Sequence, residues 1–341
     1  KERFLNKFPN VFIKLKSILL VSIASFVSTL IILPWLIRFL KSINLEVMDQ
    51  NKEKKPLIPI SGGLAVGAAI TVSIMTLIFA KRFLEINDDG IMISLFAVTT
   101  SLLIVLFIGL LDDILIKKSK ESSYGLKQWQ KPLFTVIAAI PLIAIKAGDT
   151  AMTLPFIGHV NLGFFYPLLL VPIGFIGATN MVNMLAGFNG LEAGMGLVYT
   201  GMLGLYAAYN NLYLGAVLSF AVFGSLLVFF WFNKYPAKIF PGDSLTYLLG
   251  GMLACIAIVG NLEKAALIVS IPFFIEFFLK ARGKFKNQSY GYYKDGKVQS
   301  FYNKIYSLPH ILTKSGKYTE KQVTIFLIVI ELFFSSLIWV I

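Results

Sequence analysis

The sequence predicts an all-α, polytopic integral membrane protein with about ten transmembrane helices. Three observations predict it. Of the 341 residues, 57% are hydrophobic and only 14% are charged, whereas soluble domains usually carry about 25% charged residues. The mean hydropathy is +0.76. The polar residues gather in short stretches between long apolar runs. The chain reads as a single transmembrane domain over 1–341, with a basic, aromatic loop at 281–320 inside it.

Apolar windows of roughly 17–25 residues, the length a bilayer-crossing helix needs, fall near 17–40, 61–80, 91–111, 130–147, 164–181, 190–208, 212–232, 244–260, 264–280 and 322–341. The first runs from Ser17 to Leu40, long enough to span, so no cleavable signal peptide is expected. A polar Asn/Gly stretch interrupts the fifth and sixth windows, and spans broken in this way tend to line a cavity. No internal repeat is visible, which argues against an inverted-repeat transporter. Cys255, the single cysteine, lies within an apolar window, so neither a disulfide nor a Cys metal cluster is expected.

The net charge of +13 is concentrated in loops, which suits phosphate-rich ligands and anionic lipid better than nucleic acid. Loops after the odd-numbered windows carry Lys41, Lys52, Lys54 and Lys55, then Lys117, Lys118, Lys120, Lys127 and Lys131. Lys234 and Lys238 follow, and then a dense set from Lys280 and Arg282 to Lys317. Loops after the even-numbered windows carry only Lys81, Arg82, Lys146 and Lys264. The positive-inside rule makes the first group cytoplasmic, with both termini external. The basic N-terminal arm (Lys1, Arg3, Lys7, Lys14, Lys16) pulls the other way. The plasma membrane is the expected location.

The polar stretch runs Gly177-Ala-Thr-Asn-Met-Val-Asn-Met-Leu-Ala-Gly-Phe-Asn-Gly-Leu-Glu192 and falls on the cytoplasmic side. An amide in hydrocarbon is costly without a partner. Asn180 and Asn183 are three apart and share a helix face, while Gly187 and Gly190 bracket Asn189 and allow a tight loop. Interhelical hydrogen bonding explains any one of these amides. Three amides and two glycines at a helix break point instead to a polar pocket.

Three further clusters share that side. Asp112 and Asp113 close the third window, like charges in contact at an apolar helix end, which calls for a nearby cation. The Asp88–Asp89 doublet falls on the other side and reads as an ordinary turn with Gly90. Phe240-Pro-Gly-Asp243-Ser makes a turn that delivers one carboxylate to the membrane face. The 280–320 loop interleaves Lys and Arg with Phe285, Tyr290, Tyr292 and Tyr293. Within it, Val298, Phe301, Tyr302, Ile305, Tyr306 and Leu308 have the apolar spacing of an interfacial helix. Carboxylates and amide oxygens suit a hard cation such as Mg²⁺, and lysines suit phosphate. That inventory fits metal-dependent phosphoryl transfer at a membrane surface.

These residues occur in the order, and over nearly the whole chain, of a known family. Met48-Asp-Gln-Asn-Lys, Ile58-Pro-Ile-Ser-Gly-Gly63, Asp112-Asp113, Trp129-Gln-Lys131, the Asn/Gly stretch and Pro241-Gly-Asp243 resemble the polyprenyl-phosphate N-acetylhexosamine-1-phosphate transferases. Members of that family move a sugar-1-phosphate from a UDP-sugar to a lipid phosphate and release UMP. Asn-Met-Leu-Ala-Gly-Phe-Asn-Gly-Leu-Glu-Ala-Gly is similar to the eukaryotic and archaeal branch, which makes GlcNAc-diphospho-dolichol. Bacterial relatives, including the phospho-N-acetylmuramoyl-pentapeptide transferase, usually carry Asp-Gly where this chain has Ala186-Gly187, and a His-x-His element in the last cytoplasmic loop. The two histidines here, His159 and His310, form no such element, and Ile116 stands where the family's Asp-Asp-x-x-Asp would place a third carboxylate. Arg282-Gly-Lys-Phe-Lys-Asn-Gln-Ser-Tyr-Gly291 matches neither branch closely.

The resemblance implies that Asn183 and Asp243 hold Mg²⁺, or Mn²⁺ in its place, against the donor diphosphate. It implies Lys131 on phosphate, Asn189 and Phe240 on the uracil, and Asp112 and Asp113 where the acceptor phosphate attacks. Asn180, Lys52, Arg282 and Lys284 complete the expected substrate contacts. The implied partners are a UDP-sugar and a dolichyl or other polyprenyl phosphate, and a homodimer is common in the family. A phosphate monoester has its second pKa near ~6 and is mostly dianionic at neutral pH, so a general base is not required. Asp112 and Asp113 are then expected to organise metal and acceptor charge, with proton removal by Asp112 as the second choice. The same chemistry with UDP-MurNAc-pentapeptide as donor is the alternative within the family, and an ion-coupled transporter or lipid flippase is the competing class. It needs access from both faces, and the outer loops offer only Asp88, Asp89, Asp149, His159 and Glu263.

Overall fold

With no water in the hydrocarbon layer, backbone N–H and C=O groups must bond within their own segment, and each apolar window accordingly coincides with helix. The computed structural model describes residues 7–83, 89–118, 125–154 and 158–340. Lys1, Arg3, Asp88 and Lys120 lie outside the described residues.

In chain order, α1 (Lys7–Ser42) is followed by an antiparallel hairpin of β1 (Glu46–Met48) and β2 (Leu57–Pro59). Then come α2 (Gly63–Phe83), α3 (Asp89–Lys118) and α4 (Gln130–Ala144). A second hairpin, β3 (Ala151–Leu154) with β4 (Gly158–Asn161), precedes a π-helical turn, Tyr166–Leu170, that runs into α5 (Val171–Met184). Next are α6 (Leu191–Tyr209), α7 (Tyr213–Asn233), α8 (Gly242–Gly260), α9 (Glu263–Val269) and α10 (Ile271–Arg282). The third hairpin, β5 (Tyr292–Lys294) and β6 (Lys297–Gln299), leads to the short α11 (His310–Thr313) and to α12 (Glu320–Ser336).

Among the described residues, seven helices are long and apolar enough to cross a membrane, fewer than the expected ten or so. The remaining windows fall short for identifiable reasons. α4 is shorter, at 15 residues. α6 is diluted by Glu192, Gly194, Gly196, Gly201 and Gly204. The 264–280 window is split at Ser270, because Pro272 lacks the N–H that would continue α9 into α10. The interfacial helix expected over 298–308 does not form: Val298 pairs with Tyr293 across the third hairpin, and the chain then runs irregularly to α11. Its apolar residues follow the tyrosines of a hairpin and loop rather than one helical face.

The centre is α8, whose side chains from Ser244 to Ile256 are all buried, and it contacts α2, α3, α5, α6, α7 and α9. Close approach is set by small residues, the usual device where hydrocarbon supplies no hydrophobic drive between helices. Gly63 of α2 and Gly109 of α3 both abut the backbone of Asp243–Leu245, where any Cβ would meet main-chain atoms. The loops after the odd-numbered windows therefore meet on one face. Gly62 N–H donates to Phe240 O at 3.0 Å, Asn51 Nδ2 to Gly187 O at 2.8 Å, and Gln128 Nε2 reaches Phe285 O.

Candidate active site

The adjacent carboxylates of α3 point to different neighbours. Asp112 accepts from the Leu126 N–H at 2.6 Å and from Lys131 Nζ at 2.7 Å, with Tyr247 Oη at 3.4 Å. Lys131 is the second residue of α4, and its ammonium also lies 3.0 Å from Asp243 Oδ2. Three helices, α3, α4 and α8, thus bring one lysine and two carboxylates together at a single face. Asp243 retains 19% side-chain exposure while Asp112 has none, so Asp243 is the carboxylate that meets the opening.

Asp113 is fully buried and works within the protein. Its Oδ1 accepts from the Asp243 N–H at 2.6 Å; its Oδ2 accepts from Ser61 Oγ at 2.8 Å and the Ser244 N–H at 3.2 Å. Those two amides open α8 and have no partner inside the helix, so Asp113 caps α8 from another helix. The Pro-Gly-Asp turn is specific to this arrangement. Gly242 has φ +69, and a Cβ on it would run into the Asp113 carboxylate. Asp113 therefore determines where Asp243 stands.

Asn183 closes α5 beside Asp243 and accepts from Thr246 Oγ1 at 2.9 Å. Asn180, on the same helix face, bonds Thr135 Oγ1 at 3.2 Å and Ile176 O at 2.8 Å, which ties α5 to α4. Asn189 is buried with its amide engaged by protein on both sides. Its Nδ2 donates to Glu320 Oε1 at 2.6 Å and Asp49 Oδ2 at 3.1 Å, and its Oδ1 accepts from the Ala237 N–H at 2.7 Å. Lys52 joins this cluster through Glu320 and Asp49, with its ammonium 3.9 Å from the Tyr235 ring centre. Arg282 and Lys284 are exposed at the end of α10; the Arg282 guanidinium lies 5.4 Å from the Tyr306 ring centre, on the basic loop.

A cavity of about 190 Å³ opens beside Asp243. Its walls include Gln50, Gly187, Glu192, Phe240, Thr246 and Tyr290. Phe240 is held in place by its own backbone, whose N–H donates to Pro59 O at 2.7 Å.

Tyr247 and Glu320 are not singled out by sequence reasoning, and Asp49 and Ser61 enter it only inside the quoted motifs, without a role. Ser61 and Tyr247 bond the paired aspartates, and Asp49 and Glu320 hold the Asn189 loop. The one local signal for Glu320 is the Thr319–Gln322 capping box that starts α12. His310 is a staple of the basic loop rather than a reactive group. Its Nδ1 accepts from the Tyr306 N–H at 3.2 Å, and its Nε2 lies 3.0 Å from Gln288 O. Burial, with the Lys280 ammonium nearby, pushes its pKa down to about 4.

Among the described residues no three His, Cys, Asp or Glu side chains converge as a closed cage. Mg²⁺ does not need one, since it keeps waters and is usually held by one or two carboxylates plus substrate phosphates. The partly exposed Asp243 with the Asn183 amide beside it fits that pattern. Asp113 does not, because donors from the protein already occupy both its oxygens.

Comparison with known proteins identifies the family. Residues 93–261 match the family described as glycosyl transferase family 4. The chain is 33% identical over 324 residues to a Saccharolobus solfataricus protein assigned as a UDP-N-acetylglucosamine–dolichyl-phosphate N-acetylglucosaminephosphotransferase, covering 94% of this chain and 96% of the relative. A Sulfolobus acidocaldarius protein with the same assignment is 34% identical over 331 residues, covering 95% and 96%. The phospho-N-acetylmuramoyl-pentapeptide-transferase of Oceanobacillus iheyensis is 33% identical over 276 residues, covering 77% and 81%.

Proposed function

The chain belongs to glycosyl transferase family 4 and is an integral membrane sugar-phosphate transferase, and on that premise we propose that it transfers N-acetylglucosamine-1-phosphate from UDP-N-acetylglucosamine to dolichyl or another polyprenyl phosphate. The products are the polyprenyl-diphospho-sugar and UMP, in the first membrane step of lipid-linked glycan assembly. The observation that carries the reading is the placement of Lys131 between Asp112 and Asp243, the second of which lines a cavity together with Phe240. Both archaeal relatives match over nearly their full length, and their assigned activity supports this donor and acceptor.

An oxygen of the acceptor phosphate attacks the sugar-bearing phosphorus of the donor, and the bond from that phosphorus to the UMP oxygen breaks. Little covalent work falls to the protein; positioning and charge neutralisation supply most of the catalysis. Lys131, near the amino end of α4, places positive charge where the diphosphate would sit, reinforced by the helix N-terminus. Asp112 is held by Leu126 and Lys131 and keeps that ammonium in register. Asp243 and Asn183 would hold Mg²⁺, which would neutralise the diphosphate and stabilise the departing UMP. Phe240 would stack on the uracil, with Arg282 and Lys284 at the rim. For the isoprenoid, an apolar cleft of about 510 Å³ lined by Phe39, Ile43, Leu64, Leu110 and Ile114 offers a lipid-facing surface between α1, α2 and α3. The basic loops on the site's side support a cytoplasmic orientation, and the plasma membrane is the location proposed.

The test is release of UMP by purified protein given labelled UDP-N-acetylglucosamine and dolichyl phosphate. Turnover is expected to stop with a chelator and return with Mg²⁺. Absence of UMP from every UDP-sugar offered would reject the reading.

A further inference from the structure

Two ionisable residues of α10 are buried behind the site and take no part in the chemistry above. Glu276 has no exposure, and Lys280, one turn further on, has 7%. The Lys280 ammonium lies 3.7 Å from Glu276 Oε1. A buried ion pair is weak evidence for stability, because desolvation offsets much of the attraction. What else the two groups bond is more informative. Glu276 accepts from Ser307 Oγ at 2.6 Å and, through its other oxygen, from the Leu308 N–H at 2.7 Å. Lys280 Nζ donates to Asn287 O and to Ser289 Oγ, both at 2.7 Å. One turn of α10 thus grips the basic loop near its start and near its end.

The direction of the bonds carries this grip onward. An ammonium has only donors, so the Ser289 oxygen accepts from Lys280 and its own proton is left for another partner. That partner is Met184 O, at 3.2 Å. Met184 is the last residue of α5, whose final carbonyls lack partners within the helix, and its neighbour Asn183 stands beside Asp243. On the other side of Ser289, Tyr290 lines the cavity and packs over Gly187, where a Cβ would meet its ring at 3.4 Å. Asn51 steadies the far side, accepting from the Gly291 N–H at 3.3 Å and donating to Gly187 O at 2.8 Å.

We propose that Lys280 is a positioning residue of the transferase: through Ser289 it ties the basic loop to the end of α5, and so fixes the Tyr290 wall against the Asn183–Asp243 side of the cavity. The inference rests on the sugar-phosphate transfer proposed above and adds a residue that acts from behind the cavity wall rather than on substrate. Cutting the tie should loosen the cavity and weaken donor binding. Asp112, Lys131 and Asp243 bond one another and should stay in register. The signature is therefore expected in KM rather than in kcat. Asn51 still holds one side of Tyr290, so the loss is partial.

The experiment compares the purified full chain with Lys280→Met, Ser289→Ala, the double variant and Ser289→Thr, by steady-state UMP release and by hydrogen exchange without substrate. Lys280→Met and Ser289→Ala should each raise KM for UDP-N-acetylglucosamine by roughly 3- to 10-fold, the worth of one hydrogen bond, with kcat within about twofold. The double variant should be no worse than Lys280→Met, because both changes cut the same chain of bonds. Ser289→Thr keeps the hydroxyl and should stay near wild type. Exchange protection should fall at 287–291 and at 182–185 in both single variants. KM effects that multiply in the double variant, or a loss confined to kcat, overturn the proposal. If Lys280→Met does not fold, Ser289→Ala set against Ser289→Thr decides it. Unchanged exchange in Ser289→Ala overturns the tie whether or not the chain turns over UDP-N-acetylglucosamine, whereas lack of turnover by wild type sinks the transferase reading alone.

Discussion

Asp113→Asn separates a carboxylate that holds a helix from one that touches substrate. In the protein Oδ1 takes the Asp243 N–H, while Oδ2 takes both the Ser61 hydroxyl and the Ser244 N–H. An asparagine can keep its one oxygen on the Asp243 N–H. Its NH₂ then faces Ser61, whose hydroxyl can rotate to accept, and the Ser244 N–H, which cannot. One charge-assisted bond is lost and a buried amide is left unmatched, for a cost of about 2–4 kcal/mol. The start of α8 loosens, Asp243 moves with it, and a displacement of about 1 Å in a catalytic group can cost on the order of 10²-fold in rate. Ser61→Ala removes only the hydroxyl bond and should cost about 1 kcal/mol with a small loss of rate. The assay is unfolding of the purified protein in detergent alongside UMP release. Stability and turnover should fall together, in the order wild type, Ser61→Ala, Asp113→Asn. An Asp113→Asn protein of wild-type stability that has lost turnover would refute the argument, since the carboxylate would then be acting on substrate directly.

Lys131→Ala removes the charge between Asp112 and Asp243, and kcat/KM for the UDP-sugar should drop on the order of 10²- to 10³-fold, with partial recovery in Lys131→Arg; unchanged steady-state kinetics would remove Lys131 from the site. Gly242→Ala combines a φ of +69 with a Cβ driven into Asp113, and a destabilisation of about 1–3 kcal/mol is expected in the same unfolding assay. His310 titrates from an ordinary 6.5 down to about 4 when folded. A depressed value means that its stabilising contribution is complete above pH 6.5 and is lost as the pH falls toward 4. Hydrogen-exchange protection of residues 283–313 should decline over that interval, and His310→Gln should flatten the profile.

Hydropathy, loop charge and the spacing of Asn180, Asn183, Asp112 and Asp243 were enough to place this chain in a membrane, draw its helices and gather its polar groups on one face. Those properties are local, and they survive being read one window at a time. The sequence also carried the resemblance to the transferase family, because its motifs are contiguous runs. Which helices are long enough was less legible: Pro272 splits α9 from α10, and the 298–308 apolar spacing lands in a hairpin and loop. The division of labour inside the site was decided by tertiary structure alone. Asp112 and Asp113 are neighbours of the same type, yet one pairs with Lys131 and the other caps α8 across 130 positions of chain. Asn189 is engaged by Asp49 and Glu320. A side chain's hydrogen-bonding capacity is set by composition, but how much remains for a ligand depends on which distant donors folding has already brought to it.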